Sequence, residues 1–273
     1  MNNVALNHGI DNIICMTEVI KSKKTPKLNK DGTVSKVHCN KQAGISSEVF
    51  SFKTKEEIDS MIKVFDRYIN EAPDADKLRI ARRNKLLFIL GINLSLRASD
   101  LRTVKYSFFL HRTDDGKLKF NEYYSLIPQK QKKTRKFIKL FFNDVVKNAI
   151  INYIEYYPID NIDSMVFASR KGKYNTEKGD DEAIKEQTIW RVLNNAAIEA
   201  GIKQNIGSHS LRKTFGYWTW HEAADKNKAL VILQQLFAHS STQVTMRYIG
   251  ILDEEIKDTY YSISLGNEGV SFG

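Results

Sequence analysis

The stretch Leu236-Phe237-Ala238-His239-Ser240-Ser241-Thr242-Gln243-Val244-Thr245-Met246-Arg247-Tyr248 joins a histidine to a tyrosine nine residues further on. Alone it says little. A lone histidine is more often a packed residue than a catalyst, and Tyr248 is one of 12 tyrosines. Its meaning comes from what precedes it. His209-Ser210-Leu211-Arg212 sets a proton-handling group and a cation three apart. On a helix that spacing puts both on one face, able to converge on one anion. Further back, Leu94-Ser95-Leu96-Arg97-Ala98-Ser99-Asp100 follows Leu86-Leu87-Phe88-Ile89-Leu90, a run apolar on all sides and therefore a buried helix segment. Arg97 by itself could simply pair with Asp100.

Around these motifs the pattern is mostly helical. Thr54 followed three residues later by Glu57 forms a capping box. Ile58, Met61, Ile62, Phe65 and Ile69 then recur at helical spacing, and a second helix follows Pro73. From about residue 103 to 142 aromatic and β-branched residues rise, Asp115-Gly116 supplies a hairpin turn, and Phe137-Ile138-Lys139-Leu140 partly alternates. A small antiparallel sheet is expected there, with a hairpin carrying Lys130, Lys132, Lys133, Arg135, Lys136 and Lys139. After Asn143 the pattern is helical again, apart from a polar loop around residues 171 to 181. Ile251, Glu255, Ile256, Tyr260 and Ile263 suggest a short last helix. The first fifty residues differ: Lys21, Lys23, Lys24, Lys27, Lys30 and Lys36 crowd together beside Pro26 and Asp31-Gly32, which reads as a mobile basic arm. The expected fold is mainly α with a small antiparallel β-sheet. The expected division is an arm over 1–50, a folded domain over 51–265 and a tail over 266–273.

Composition narrows the partner. Lys plus Arg number 42 against 32 Asp plus Glu, a net charge of +10. A surplus of that size favours a polyanion, nucleic acid being the commonest. Cys15 and Cys39 are too few for a disulfide framework and too isolated for a zinc site, which fits a reducing compartment. No run approaches the ~18 apolar residues of a membrane span, and no signal pattern opens the chain. The expected location is cytoplasmic, associated with the nucleoid. No carboxylate cluster of the kind that holds Mg²⁺ is visible, so neither metal nor cofactor is expected.

In this order and spacing the segments resemble the tyrosine recombinase (phage integrase) family. Its signature reads G-x-R-x-S-E/D-L, a hairpin K-T, H-x-x-R, and L-G-H-S-S with a tyrosine nine residues on. This chain offers Leu96-Arg97-Ala98-Ser99-Asp100-Leu101, Lys133-Thr134, His209 to Arg212, and His239-Ser240-Ser241 leading to Tyr248, over roughly residues 51 to 265. Two positions depart from it. Ala238 stands where glycine usually precedes the histidine, and Ser95 where glycine stands two before the first arginine. Both are small, so they could alter the backbone without removing a functional group.

The resemblance implies the tyrosine recombinase catalytic-domain fold and a site-specific recombinase that breaks and rejoins DNA through a 3′-phosphotyrosyl bond to Tyr248. Arg97 and Arg212 would grip the non-bridging phosphate oxygens with planar forks. Lys133 would be the general acid for the leaving 5′ oxygen, with Lys130 and Lys132 as substitutes. His209 would assist proton removal from Tyr248, His239 would hydrogen-bond the phosphate, and Asp100 would support the arginine and histidine positions. Lys130, Lys132, Arg135, Lys136, Lys213 and Arg247 are counted as DNA contacts. The partners implied are double-stranded DNA, further copies of the chain forming a tetramer on it, and an accessory DNA-bending protein. Most members carry a helical core-binding domain before the catalytic one. Only about fifty residues precede Thr54 here, so a short form with little or no core-binding domain is expected. Integration, excision, inversion and resolution all stay open. A type IB topoisomerase uses a similar tyrosine and arginine clamp and is the alternative enzyme. A DNA-binding regulator would share the charge but have no use for the catalytic groups.

Overall fold

Two helix starts organise the beginning of the folded chain, and both are written in side-chain oxygens. The computed structural model describes residues 48–128, 137–169 and 182–263, save the side chains of residues 253 and 254. The residues read as a basic arm lie almost wholly outside these. Helix α1 (Lys55–Asn70) opens on the expected capping box. The Glu57 N–H donates to Thr54 Oγ1 at 3.1 Å, and the Thr54 N–H donates to the Glu57 carboxylate at 3.3 Å. Helix α2 (Ala75–Asn93) is capped by Asp74, whose carboxylate accepts from the Lys77 N–H at 2.7 Å. Each cap satisfies donors that the first turn leaves without a helical partner. Leu86, Leu87, Phe88 and Leu90 are buried as the all-apolar run requires, and Ile89 is half-buried.

Two short helices, α3 (Ala98–Leu101) and α4 (Tyr106–Phe109), lead into the strands. Strand β1 (Leu110–Arg112) pairs antiparallel with β2 (Leu118–Phe120), Leu110 opposite Phe120, across a turn in which Gly116 takes φ +78°. Strand β3 (Tyr123–Leu126) pairs antiparallel with β4 (Ile138–Phe141), Tyr123 opposite Phe141. Ile138 and Leu140 point inward while Lys139 and Phe141 are exposed, the alternation read from the sequence. Among the described residues the strands thus form two two-stranded sheets rather than one. Asn121, between β2 and β3, explains the division. Its side-chain amide donates to the carbonyls of Ser107 (3.1 Å) and Phe108 (3.2 Å), and its N–H to that of Phe109 (2.8 Å). The chain is tied to α4 where a continuous sheet would need a ladder.

The remaining elements are helices: α5 (Asp144–Tyr156), α6 (Glu186–Glu199), α7 (Ser208–His221), α8 (Lys226–Phe237), α9 (Thr242–Ile249) and α10 (Leu252–Ser262). Among the described residues no helix is long and apolar enough to cross a membrane. A large apolar cluster draws on α1, α2, α5, α6 and the strands. A smaller one, Tyr217, Leu230, Leu233, Phe237, Ile249 and Ile251, joins α7, α8 and α9. Residues 48–53 lie along α7. The Phe52 N–H donates to Thr214 Oγ1 at 2.9 Å, Trp218 Nε1–H donates to the Phe52 carbonyl at 2.9 Å, and Lys53 Nζ donates to the Gly250 carbonyl at 2.9 Å.

Helix α7 meets α8 and α9 at a glycine. A Cβ on Gly216 would stand 2.5 Å from Ile249 Cγ2 and 2.9 Å from the Phe237 ring. Neither neighbour can retreat, because both are wholly buried. Gly216→Ala should therefore destabilise the protein by about 1–3 kcal/mol, the usual cost of overpacking. Urea unfolding checks this; an unchanged midpoint would show that the three helices are not so tightly joined.

Candidate active site

The site is built on the C-terminal end of α8. The last carbonyls of a helix have no helical N–H to accept, and the aligned peptide dipoles leave that end partly negative. Two guanidinium groups use it. Arg97, at the start of α3, donates from Nη2 to the Phe237 carbonyl at 3.2 Å. Arg212, on α7 and 3% exposed, donates to the Leu236 carbonyl at 3.4 Å and to the Ser95 carbonyl, with its guanidinium carbon 4.4 Å from the centre of the Phe237 ring. Asp100, also buried, favours the charge on Arg212. So the two arginines of the two motifs, 115 residues apart by their numbers, meet at one helix end.

The backbone that makes this possible is left-handed at two non-glycine residues. Ser95 and Ala238 both take φ +53°, alone among the described non-glycine residues. These are the two positions where the sequence departs from glycine. The left-handed turn at Ala238 closes α8 and sends the chain into His239; that at Ser95 lies two residues before Arg97 and offers its carbonyl to Arg212. Both substitutions keep the conformation that glycine adopts more easily.

Helix α9 brings the remaining groups. Its cap is Ser241, whose Oγ accepts from the Val244 N–H at 3.2 Å. Thr245 is fully buried and Tyr248 half-buried one turn further on. The His239 and Tyr248 rings lie edge to face with centres 5.0 Å apart, and Phe237 lies 5.4 Å from Tyr248. His239 Nδ1 is 3.1 Å from Thr245 Oγ1.

Burial and charge set the protonation states. Burial pushes the Tyr248 phenol above its ordinary range, while the positive charges of Arg212 and Arg97 pull the other way. Burial, aided by the nearby Arg97, brings Arg212 down to about 10, where it is still a cation at neutral pH; the Tyr248 and Asp100 oxygens oppose the fall. His239 is held below the ordinary imidazole range by burial, then by repulsion from Arg212 and Arg97. At neutral pH the site therefore holds two cations, a neutral imidazole and a neutral phenol. Such a set can grip an anion, stabilise charge growing on it and offer it an oxygen nucleophile.

The expected residues take different places around this group. Arg97, Arg212, His239 and Tyr248 do, with Asp100 beside Arg212. His209 is exposed in the first turn of α7, one turn before Arg212. Arg247 is exposed on α9. Lys213 is 7% exposed and paired with the Glu48 carboxylate at 2.7 Å, and its Nζ lies 5.7 Å from the centre of the Tyr248 ring. Lys130, Lys132, Lys133, Arg135 and Lys136 lie outside the described residues. Lys139 stands with its Nζ 4.4 Å from the centre of the Tyr123 ring. Sequence reasoning missed Thr245 and Lys53. Thr245 could have been found, because it falls at helical spacing between Ser241 and Tyr248; Lys53 carries no local signal. Among the described residues no group of three His, Cys, Asp or Glu side chains is placed to hold a metal ion.

The fold and the meeting of two arginines, a histidine and a tyrosine at one helix end are those of a class of protein that the comparisons identify. Residues 53–255 match the phage integrase family. The chain belongs to that family, the tyrosine recombinases. It is 29% identical over 179 residues to the probable integrase/recombinase YoeC of Bacillus subtilis (strain 168), covering 66% of this chain and 83% of that one. It is 25% identical over 111 residues to the tyrosine recombinase XerD of Oceanobacillus iheyensis, covering 41% of this chain and 36% of XerD. The fold is shared with the XerA recombinase (TM-score 0.51, 16% identity, 81% of this chain and 66% of that one). It is shared equally with XerH bound to its palindromic difH substrate after cleavage (TM-score 0.51, 16% identity, 85% and 60%). These relatives are recombinases, which favours that reading over a topoisomerase.

Two measurements check the site. The His239 imidazole should titrate below the free-histidine value of about 6.5, and Arg97→Ala should move it upward by removing a repelling cation. NMR titration of its ring protons reads both. The sign for stability follows. With the folded value lowered, the contribution is complete above the unfolded value and is lost as pH falls through the folded one. Separately, Ala238→Gly should stabilise the fold by about 1 kcal/mol, since only glycine adopts the left-handed region freely. Urea unfolding that showed a loss instead would contradict the strain at this turn.

Proposed function

We propose that the protein cleaves and rejoins DNA through a covalent bond between Tyr248 and a 3′ phosphate. The observation that supports this most is the meeting of Arg97, Arg212, His239 and Tyr248 at the end of α8. Each guanidinium has five N–H donors in a rigid fork. Their bonds to the Ser95, Leu236 and Phe237 carbonyls fix the two forks in place and leave donors for the non-bridging oxygens of one phosphate. Tyr248 Oη attacks phosphorus as its proton is taken up with the help of His209; the P–O5′ bond breaks, and the 5′ oxygen receives a proton from Lys133. His239 hydrogen-bonds the phosphate. The phosphotyrosyl bond conserves the energy of the broken phosphodiester, so a hydroxyl from another strand can reverse the step.

Residues 51–265 form the catalytic domain in this reading, with the basic residues before them following DNA phosphates. Lys130, Lys132, Arg135, Lys136 and Arg247 are the further DNA contacts. Helix α10 exposes Ile256, Tyr260, Tyr261 and, just beyond its end, Ile263. We assign this apolar surface to docking on a second copy, within a tetramer assembled on DNA at the nucleoid. An accessory DNA-bending protein is a further proposed partner. Integration, excision and inversion are all consistent with this chemistry.

A nicked suicide substrate should trap a covalent protein–DNA complex that Tyr248→Phe abolishes. Trapping on Tyr260 or Tyr261 would show the nucleophile to be misassigned. Arg97→Ala should slow trapping by about 10²-fold or more, the scale of losing a donor to a developing oxyanion. DNA binding should weaken steeply with added salt, since each neutralised phosphate releases counterions; a flat response would contradict the phosphate contacts.

A further inference from the structure

We propose that Thr245 is a positioning residue that fixes the tautomer of His239, placing the proton on Nδ1 and leaving a lone pair on Nε2. The inference rests on the reading of Tyr248 and its neighbours as the reacting site. Thr245 is wholly buried on α9, one turn before Tyr248. Its hydroxyl makes two contacts: 3.2 Å to the Ser241 carbonyl and 3.1 Å to His239 Nδ1. A hydroxyl has one proton and two lone pairs. A carbonyl oxygen can only accept, so the Thr245 proton goes to Ser241. The contact to His239 is then satisfied only if Nδ1–H donates and Thr245 Oγ1 accepts. In a neutral imidazole the other nitrogen, Nε2, carries no proton.

Burial of the hydroxyl makes this selective. With Nδ1 bare, the Thr245 hydroxyl would have to turn its one proton from the Ser241 carbonyl to the ring and forfeit the 3.2 Å bond, leaving that carbonyl with the Thr245 N–H alone at 3.3 Å. The extra hydrogen bond of the Nδ1–H form is worth about 0.5–1.5 kcal/mol, which tips the balance between the two tautomers toward it. The charged or titratable side chains facing His239 are Arg212 from α7, Arg97 from the start of α3 and Tyr248 from α9. None of the three is a carboxylate, and the oxygen that lies at hydrogen-bond distance from Nδ1 is that of Thr245.

A consequence follows for the phosphate. Neutral His239 held in this tautomer has no Nε2–H to give to a phosphate oxygen. It must first take up a proton at Nε2 and then donate it. A phosphodiester lodged between Arg97 and Arg212 offsets the repulsion that keeps His239 neutral in the free protein, so docking and proton uptake are coupled. Thr245 thereby makes His239 a conditional donor: an acceptor when the site is empty, a cationic donor when it is filled.

The test uses the full-length protein without DNA, so it reads the tautomer whether or not Tyr248 proves to be the nucleophile. Two-bond proton–nitrogen spectra of ¹⁵N-histidine-labelled protein at about pH 8, above the ordinary histidine range, distinguish a protonated from a bare ring nitrogen. The wild type should show His239 with protonated Nδ1 and bare Nε2. Thr245→Val should shift it toward the Nε2–H form, and Thr245→Ser should restore the wild-type pattern. Suicide-substrate cleavage should fall on the order of tenfold in Thr245→Val, the scale of losing a group that orients a catalytic imidazole, and recover in Thr245→Ser. A wild-type spectrum with protonated Nε2 overturns the proposal, and does so even if the valine variant fails to fold. So does a folded Thr245→Val that retains the Nδ1–H form. Correct tautomers together with no covalent trapping on Tyr248 would instead sink the nucleophile assignment and leave Thr245's role standing.

Discussion

Two like charges held at one helix end are the constraint on which the rest of the site depends. Burying a guanidinium costs several kcal/mol. The carbonyls of Leu236, Phe237 and Ser95 return part of that, at about 1.5–3 kcal/mol for a hydrogen bond to a charged group. The α8 dipole adds about 0.3–1 kcal/mol, more where partly buried. Asp100 lends further support to Arg212. Against these stands the mutual repulsion that helps lower Arg212. The protein thus maintains a region of unsatisfied positive potential, and an anion completes it. A phosphate whose charge grows in the transition state gains more from that potential than a resting phosphodiester does, which is the differential binding that catalysis requires.

The construction needs sharp turns on either side of it, and their conformation outlasts a change of residue. Ser95 and Ala238 sit in the left-handed region at a cost of about 1–2 kcal/mol each relative to ordinary backbone. The cost is tolerated because each turn fixes a group the site cannot do without. One aims a carbonyl at Arg212 and sets Arg97 two residues on; the other ends α8 and delivers His239. Strain of this kind collects where surrounding structure overdetermines the backbone. Both turns lie within contact of the same two arginines.

Local signals made much of this legible in advance. The Thr54–Glu57 box, the Asp115-Gly116 turn and the buried run before Leu94 are decided by neighbours in sequence, and each forms as read. The order of the arginine, histidine and tyrosine motifs located the site because each motif carries its own short spacing. What escaped depends on distant partners. Lys213 reads as a cation beside a motif; only the fold shows that Glu48, far away in sequence, pairs with it. The split of the strands into two sheets turns on Asn121 reaching back to α4, a contact without periodicity. That Ser95 and Ala238 keep positive φ could be suspected from the missing glycines, but serine and alanine carry no such preference themselves.

The helix that carries Tyr248 takes its place from its neighbours. Helix α9 has eight residues, too short to persist by itself. It is held by buried Thr245 and Ile249, by the close approach of Ile249 to Gly216, and by Lys53 bonded to the Gly250 carbonyl that follows it. These contacts belong to the smaller apolar cluster, separate from the one that draws on α1, α2 and the sheets. The charges of Arg212 and Arg97 act on Tyr248, favouring its ionised form against the effect of burial. The arginines are held elsewhere, by the Leu236 and Phe237 carbonyls at the end of α8 and by the Ser95 carbonyl.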